Sequence, residues 1–304
     1  MAPPPQAHAI NMNAVITIPP SLDDLSFETV LDQLAAIGPD EGLVVDARGC
    51  TFASPFGLTA LLALAETRAV KPTLLAPDDP TRAIYWMRTR FLRHAANHYL
   101  VLGAPPAVTA VCGSDVLLEV TRLSDGVDFG YIRATAFRMF AERLHLTEFL
   151  ATGLADGVSA LCLNVVQHAG GRGWVMIQAY QYRKRLGGRH AVVVAVCDSG
   201  VGMRCAFERS TRRPHGDHWT DTTAIEAAVV GRVNRQEEPS AGGLSMLRGY
   251  VNRADGKLTL RSGTARIALL PAWDDDLPLR KGLAPFPGVQ VQITIPEPAE
   301  SQAR

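Results

Sequence analysis

Short apolar runs alternate with helix-like segments over the first third of the chain. The runs "AVITIP", "GLVVDARG" and "KPTLLAP" predict strands. The segments between and after them, "SLDDLSFETVLDQLAAIG", "GLTALLALAETRAV" and "PTRAIYWMRTRFLRHAANH", predict helices. Ser21 is expected to cap the first of these helices, and Pro80 to begin the last. Strands that alternate with helices indicate an α/β unit, which we place at residues 14–105 and name the first unit.

The pattern changes at residues 106–127, which combine prolines and small residues with a strand-like "VLLEV". We place a linker and domain boundary here. Beyond it the pattern predicts helices at residues 131–144 and 154–168, followed by the strands "GWVMIQAYQYR" and "HAVVVAVCD". After a polar segment come the helix "LSMLRGYVNRAD" and the strands "KLTLRSG" and "GVQVQITIP". These elements predict a second α/β unit at residues 128–298.

Charge and composition narrow the classes of function. The 30 basic and 30 acidic residues cancel, so no excess of positive charge attracts nucleic acid or anionic lipid over long range. The five cysteines are odd in number and widely spread, which predicts reduced thiols rather than disulfides or a zinc site. The Pro-rich leader, residues 1–13, has no signal-peptide pattern, residues 299–304 are a polar tail, and the apolar runs are shorter than a membrane span. We therefore expect a cytoplasmic protein.

Three features of the second unit indicate a nucleotide site. In "LNVVQHA" an asparagine and a histidine lie one helical turn apart, on the same face. In "CDSGVGM" an aspartate ends an apolar strand and is followed by glycines that let the backbone approach a ligand closely. In "SAGGLSML" two glycines lead into a helix, whose free N–H groups favour anionic oxygens. The candidate nucleotide-binding residues are Asn164, His168, Asp198, Gly200, Gly202, Met203, Gly242, Gly243 and Leu244.

The order and spacing of these motifs resemble the GHKL family of ATP-binding modules, which histidine kinases, gyrase-type ATPases and anti-sigma-factor kinases share. The resemblance extends over residues 128–296, including "GGLSMLRGYVNRADGKLTLRSG" and "PGVQVQITIP". It implies a Bergerat-type α/β sandwich with a mixed sheet, and ATP or ADP with Mg²⁺ as cofactors. Asn164 would hold the magnesium ion, and Asp198 would accept the adenine amino group.

The same resemblance assigns the glycines and the polar segment. Gly200 and Gly202 would line the adenine base. Gly242, Gly243 and Leu244 would form the turn on the phosphate side. Residues 204–241 would form a lid over the nucleotide.

The expected catalytic base is missing. Members of the family that cleave ATP have a glutamate one turn before the asparagine, and Ala160 occupies that position here. Loss of a positioned general base costs about a hundred- to ten-thousandfold in rate. Asp156 lies one turn further away, about 6 Å along the helix axis, which makes it a poor substitute. Val289 stands where the family often has a threonine hydroxyl beside the adenine, which leaves adenine affinity open.

The first unit resembles the STAS domain of anti-sigma-factor antagonists. The resemblance rests on "GLVVDARGCTFASPFGLTALLALAE", a strand, a turn and a helix, in which the family presents a serine for phosphorylation. Phe56 occupies the phosphoacceptor position and has no hydroxyl. Ser54 is nearby, but it stands where the family has an acidic residue. Each unit therefore lacks its reactive group, and we assign no catalytic residue.

Three further patterns have plainer interpretations. His215, Asp217 and His218 in "RRPHGDHWTD" are metal-ligand types, but a solvated lid loop accounts for them. In "TRAIYWMRTRFLRHAANHY" arginines alternate with aromatic residues, as in nucleic-acid sites, yet the helical spacing of Ile84, Met87 and Phe91 favours one face packed on the sheet. His145 is expected to be a surface helix residue and not a phosphoacceptor.

The sequence thus predicts a cytoplasmic, ATP-binding regulatory protein of the partner-switching type, a pseudokinase that signals by lid and domain rearrangement. A protein partner or a second copy of the chain is expected, and neither nucleic acid nor membrane. Two alternatives stay open: a serine/threonine kinase or slow ATPase that takes its base from Asp156, Glu148 or a partner chain, and an interaction scaffold that binds no nucleotide.

Overall fold

A computed structural model describes residues 13–104, 117–170, 172–183, 185–209, 219–230 and 240–299. These residues form a mixed α/β fold with a parallel four-stranded sheet, an antiparallel five-stranded sheet and a pair of two-residue strands. This confirms the predicted α/β class. The predicted leader (1–13), half of the predicted linker and the predicted tail lie largely outside the described residues.

The first sheet is built from four parallel strands in the order β1-β3-β5-β6, and a short parallel pair joins β2 to β4. The strands are β1 (Ala14–Thr17), β2 (Ser21–Leu22), β3 (Leu43–Asp46), β4 (Phe52–Ala53), β5 (Thr73–Leu75) and β6 (Leu100–Leu102). The helices are α1 (Phe27–Leu34), α2 (Pro55–Glu66), α3 (Pro80–Arg88) and α4 (Phe91–His98).

Two sequence predictions for this part are wrong in detail. Ser21 lies in β2 and caps no helix, because α1 begins only at Phe27 after a turn in which Asp23 Oδ1 accepts from two backbone N–H groups. The helix predicted from Pro80 to residue 98 is broken at Arg90, whose φ of 61° is left-handed. The break turns Phe91 into the core and leaves Ile84 39% exposed, so these two residues do not share a buried face.

The second sheet has the order β10-β11-β9-β8-β7, and every pairing within it is antiparallel. Among the described strands the predicted mixed sheet is therefore wrong for this half: β8–β9 and β10–β11 are hairpins, and the connection from β7 to β8, which runs through helices, also gives an antiparallel pair. β7 falls within the segment predicted as linker and pairs with β8. The strands are β7 (Leu117–Leu123), β8 (Gly173–Gln181), β9 (His190–Asp198), β10 (Lys257–Leu269) and β11 (Leu279–Pro296).

Helices cover one face of the second sheet. They are α5 (Phe129–Arg138), a π-helical turn (Met139–Arg143), α6 (Glu148–His168), α7 (Gly202–Arg209), α8 (Asp221–Val230) and α9 (Ser240–Arg253). Alternate residues of β9, such as Val192, Val194 and Val196, pack beneath them. His145 lies outside these helices, in the turn before α6, with a left-handed φ of 54°.

Helix α2 covers the opposite face of the second sheet. Its residues from Pro55 to Ala65 are all buried, as expected of a helix that is apolar on every side. Trp174, Met176, Ala195 and Cys197 of the second sheet belong to the same hydrophobic core as α2. The two units therefore share one core, and α2 is sandwiched between their sheets.

One helix, α6, is long and apolar enough to span a membrane by length and composition alone. Polar residues such as Asp156 and Asn164 interrupt its apolar stretches, so no uninterrupted apolar run in it reaches the length of a membrane span. Half of its most apolar window is buried inside the fold, against the second sheet and α9. Its composition is thus compatible with the core helix of a soluble protein, while the cytoplasmic location stays a prediction.

Candidate functional site

Asp198 ends strand β9 and is buried, with 5% of its surface exposed. Its Oδ1 accepts a hydrogen bond of 2.8 Å from Gly200 N, and the Val289 N–H lies near enough to lower the pKa of the carboxylate. Gln290 Nε2 donates to its main-chain oxygen at 3.0 Å. Asp198 is therefore held from two sides, at its carboxylate by the loop after β9 and at its main-chain oxygen by β11.

Three glycines form a cradle around Asp198. A Cβ placed on Gly288 would lie 2.1 Å from the main-chain oxygen of Asp198 and 2.6 Å from its Oδ1. A Cβ on Gly200 would lie 3.0 Å from Oδ1, and one on Gly173 would lie 3.0 Å from the Asp198 Cβ. Since no side chain fits at these positions, the backbone approaches the carboxylate more closely than other residues would allow.

Burial raises the pKa of Asp198 to about 7. The backbone N–H groups of Gly200 and Val289 and the positive charge of Arg172 lower this pKa. The nearby Glu66 carboxylate raises it further. A strand-end carboxylate that changes charge near neutral pH is a perturbed group of the kind found at functional sites.

A second hydrogen-bond chain fixes the loop after Asp198. Ser262 Oγ accepts from Met203 N at 3.0 Å and donates to Gly288 O at 2.9 Å. Gly202 has a left-handed φ of 75°, and a Cβ there would lie 3.1 Å from Ser262 Oγ. The predicted residues Gly200, Gly202 and Met203 are thus brought together with Asp198.

Helix α6 connects the cradle to helix α9. Ala169, next after the helix, lies against Gly200, where a Cβ would approach the Ala169 Cβ to 2.6 Å. Ala160, Asn164 and His168 follow one another at intervals of four residues, so they form one stripe along the helix. Asn164 is half-buried and His168 is exposed.

The first turn of α9 lies at the other end of this stripe. A Cβ placed on Gly243 would lie 3.4 Å from the Cβ of Ala160. Gly242, Gly243 and Leu244 were predicted to form a turn, but they lie inside α9, which begins at Ser240. Leu244 is buried in the core beneath the helices. The free N–H groups of the α9 first turn are therefore next to Ala160.

Two carboxylates considered as substitute bases are not placed beside Ala160. Asp156 is exposed and its Oδ1 accepts from Arg133 Nε on α5. Glu148 is exposed in the first turn of α6, twelve residues before Ala160, or about 18 Å along the axis. Neither geometry supports a base at the Ala160 position.

The predicted phosphoacceptor region of the first unit is closed. Phe56 is buried and packs edge-on against Phe27, with ring centroids 5.9 Å apart. Ser54 is buried as the N-cap of α2, and its Oγ accepts from Gly57 N at 3.2 Å. Neither residue is presented to a kinase in this structure.

The sequence did not single out Gly173, Gly288, Ser262 or Glu66, yet they surround Asp198. The dipeptide Pro287-Gly288 marks a turn before a strand, and this signal could have drawn attention to Gly288. Glu66 is the one acidic residue of the otherwise apolar α2. Ser262 and Gly173 carry no local signal.

The described part of the predicted lid is anchored. Asp221, at the start of α8, accepts from Thr264 N at 2.9 Å and from Thr264 Oγ1 at 2.8 Å. His215, Asp217 and His218 lie outside the described residues. Within the described ranges, no group of three or more histidine, cysteine, aspartate or glutamate side chains could hold a metal ion.

The described cysteines are free thiols: Cys50, Cys162 and Cys197 are buried and Cys205 is half-buried.

No family model matches the chain, and no curated protein or solved structure is significantly similar to it. The functional interpretation therefore depends on the residues and their geometry.

Proposed function

We propose that this chain is a regulatory protein that binds ATP or ADP with Mg²⁺ in a Bergerat-type second unit and does not cleave it. One observation carries the proposal: the α6 stripe of Ala160, Asn164 and His168 runs from the Asp198 cradle to the first turn of α9. A nucleotide lying along this stripe would have its base at Asp198 and its phosphates at the free N–H groups of α9.

Each group has a chemical role in this proposal. The Asp198 carboxylate accepts the adenine amino group, and the glycine cradle admits the flat ring. Asn164, one turn from Ala160, supplies an amide oxygen, a ligand type that Mg²⁺ accepts. Ala160 offers only a methyl group, so no side chain at this position takes a proton from an attacking water or hydroxyl.

The output would pass to the STAS-like first unit. Ser199, which follows Asp198, hydrogen-bonds to Glu66 of α2, so the base end of the site contacts the helix that joins the two sheets. A bound nucleotide shifts a conformational equilibrium only as far as it binds one state better. The read-out would be a protein partner, or a second copy of this chain, that binds one of the two states.

Thermal unfolding with ATP and ADP, with and without Mg²⁺, tests the proposal. Saturation at a hundred times Kd stabilises the folded state by about 2.7 kcal/mol, so the melting temperature should rise with ligand concentration. Asn164→Ala should remove the Mg²⁺-dependent part of the shift, and Asp198→Asn should weaken both nucleotides. Asn97→Ala, on the exposed face of α4, is the matched control and should leave the shift unchanged.

The alternatives predict different results. Turnover of ATP by the unmodified chain, abolished by Asn164→Ala, would establish an enzyme. If millimolar ATP did not raise the melting temperature, the interpretation as an interaction scaffold that binds no nucleotide would be favoured. If the proposal holds, Ala160→Glu is the substitution that introduces hydrolysis, provided that the new side chain is accommodated beside Gly243.

A further inference from the structure

A cavity of about 200 Å³ lies between the two units, on the face of the second sheet opposite to α6. Gln292 and Thr294 of β11 form part of its wall, and Ser54 and Phe52 of the first unit close it from the other side. It is smaller than the roughly 300–1,000 Å³ of pockets for drug-sized ligands, so it suits a small molecule. None of its lining residues belongs to the proposed nucleotide site.

Aromatic rings form one side of this interdomain cavity. Tyr180 and Tyr182 are stacked, with centroids 5.2 Å apart and planes 14° apart. Phe52 lies edge-on to Tyr180 at 6.1 Å, and Trp273 adds a fourth ring to the lining. The faces of such rings carry partial negative charge and attract cations.

The basic groups of the lining are already paired. Lys257 Nζ bonds to both carboxylate oxygens of Asp274 at 3.1 Å and to Asp276 at 3.2 Å. Arg185 also donates to Asp274, at 2.6 Å. An anionic ligand would have to displace these carboxylates to reach either cation.

Two side chains of the lining, Gln292 and Asp23, are acceptors with hydrogen-bonding capacity left. Gln292 is 5% exposed; its Nε2 donates to Asp24 Oδ1 at 3.0 Å, while its Oε1 has no hydrogen-bond partner among the described residues. A buried acceptor without a partner destabilises the folded state unless a ligand or water supplies a donor. Asp274 pairs with Lys257 and Arg185, and Asp24 pairs with Arg266 at 2.6 Å, so among the described residues the half-exposed Asp23 is the carboxylate of the lining that is left for a ligand.

We propose that the interdomain cavity binds a small organic ammonium ion. The ligand would donate N–H groups to Gln292 Oε1 and to the Asp23 carboxylate, and would place its cationic end and its carbon atoms against the rings of Tyr180 and Tyr182. Because the walls come from both units, such a ligand would bind at their junction, independently of the nucleotide.

Calorimetry on the full chain tests this with benzylammonium as the probe. Benzyl alcohol and benzoate have the same ring with a neutral and an anionic group, respectively. Benzylammonium should bind saturably at millimolar concentration or below, benzyl alcohol more weakly, and benzoate not measurably. The proposal would be overturned if benzyl alcohol bound as tightly as benzylammonium, or if benzoate bound more tightly. It would also be overturned if none of benzylammonium, phenethylammonium and methylammonium bound.

Two variants locate the site. Asp23→Asn keeps the oxygen that accepts from Leu25 N and Ser26 N, and should weaken benzylammonium roughly two- to fivefold by removing the charge. Asp32→Asn, on the exposed face of α1, is the matched control and should have no effect. Tyr182→Leu should also weaken binding. If both Asp23→Asn and Tyr182→Leu bound benzylammonium as tightly as the parent, the assignment would be overturned. Asp198→Asn, which lies outside the cavity, should bind benzylammonium as the parent does.

Discussion

Ser199 donates a 3.0 Å hydrogen bond to Glu66 across the junction of the two units. Ser199 follows the cradled Asp198, and Glu66 is the last residue of α2. Burial raises the pKa of Glu66, while the hydrogen bond from Ser199 and the nearby Arg122 lower it. The two carboxylates also repel each other, and the Glu66 charge raises the pKa of Asp198. The protonation of Asp198 in the candidate site is therefore coupled to that of Glu66 on α2, the helix between the two sheets.

Adenosine affinity should depend on pH through Asp198. The pKa of Asp198 is raised to about 7 in the folded protein, so its carboxylate becomes fully ionised only above that pH. An ionised carboxylate accepts a hydrogen bond more strongly than a neutral one. Affinity for adenosine, which has no titrating phosphate, should rise as the pH rises through 7 and then level off. Calorimetry from acidic to mildly alkaline pH measures this.

Asp198→Asn provides the control for that profile, because it keeps the shape of the side chain without the charge. Its adenosine affinity should be low and independent of pH. The sign also applies to stability: a carboxyl whose folded pKa is raised binds its proton more tightly in the folded state, so its contribution falls as the pH rises from about 4 to 7. A difference in unfolding free energy between the parent and Asp198→Asn that does not change over this window would contradict the assignment.

Glu66→Gln should move the pH midpoint of adenosine binding to lower pH. The substitution removes a like charge that raises the pKa of Asp198, while the amide oxygen can still accept from Ser199 Oγ. Glu119→Gln is the matched control. Glu119 lies on β7, pairs with the half-exposed Arg90 at 3.1 Å and is not among the groups that shift the pKa of Asp198. Identical midpoints for the parent and both variants would show that the two carboxylates are not coupled.

Gly288→Ala should abolish adenosine and ATP binding. The added Cβ would lie 2.1 Å from the Asp198 main-chain oxygen, so the carboxylate or β11 must shift. Gly288 also has a left-handed φ of 80°, which strains any other residue. Gly282→Ala carries the same kind of strain, with φ of 66°, but meets no atom within 4 Å. Thermal shift with each ligand separates the two causes: equal loss of binding in both variants would argue against a cradle.

Local patterns in the sequence located most strands and helices, because burial of alternate residues leaves a clear record in runs such as that of β9. They also identified Asp198, Gly200 and Gly202, which are close in sequence. They misplaced the start of α1, since the cap-like Ser21 pairs with Phe52 from a distant strand. They missed α7 and α8 within the polar segment, which are short helices of 8 and 10 residues.

Residues brought together by tertiary packing could not be predicted in this way. Gly288 and Ser262 reach Asp198 only because β10 and β11 pair beside β9. The covering of the second sheet by α2 follows from a helix that is apolar on all sides, which shows that it is buried but not against which partner. Tertiary packing also places Ala160 against the first turn of α9, a contact that no local pattern shows.

Gly157→Ala should destabilise the contact between α6 and α9. Its Cβ would lie 2.5 Å from Leu247 Cδ1 and 3.0 Å from Leu247 Cβ, so the helices must separate, at a cost of about 1–3 kcal/mol. Gly249→Ala, on the exposed face of α9, meets no atom within 4 Å and should stabilise the helix by about 0.5–1 kcal/mol. Urea unfolding of both variants measures the difference. Equal free energies would mean that the two helices do not pack this closely.

Glu28→Gln should destabilise the junction of the two units. Glu28 of α1 and Arg261 of β10 are both buried and form a two-pronged ion pair, with distances of 2.9 and 3.2 Å. Removing one partner leaves Arg261 charged and only partly compensated, which typically costs about 3–5 kcal/mol in unfolding free energy. Asp46→Asn, which removes the exposed ion pair with Arg48, is the control and should change stability little. The double variant Glu28→Leu with Arg261→Met should recover much of the loss, because no buried charge remains unpaired. A Glu28→Gln variant as stable as Asp46→Asn would contradict this geometry, since it would mean that water reaches Arg261 and the two units do not share a closed interface.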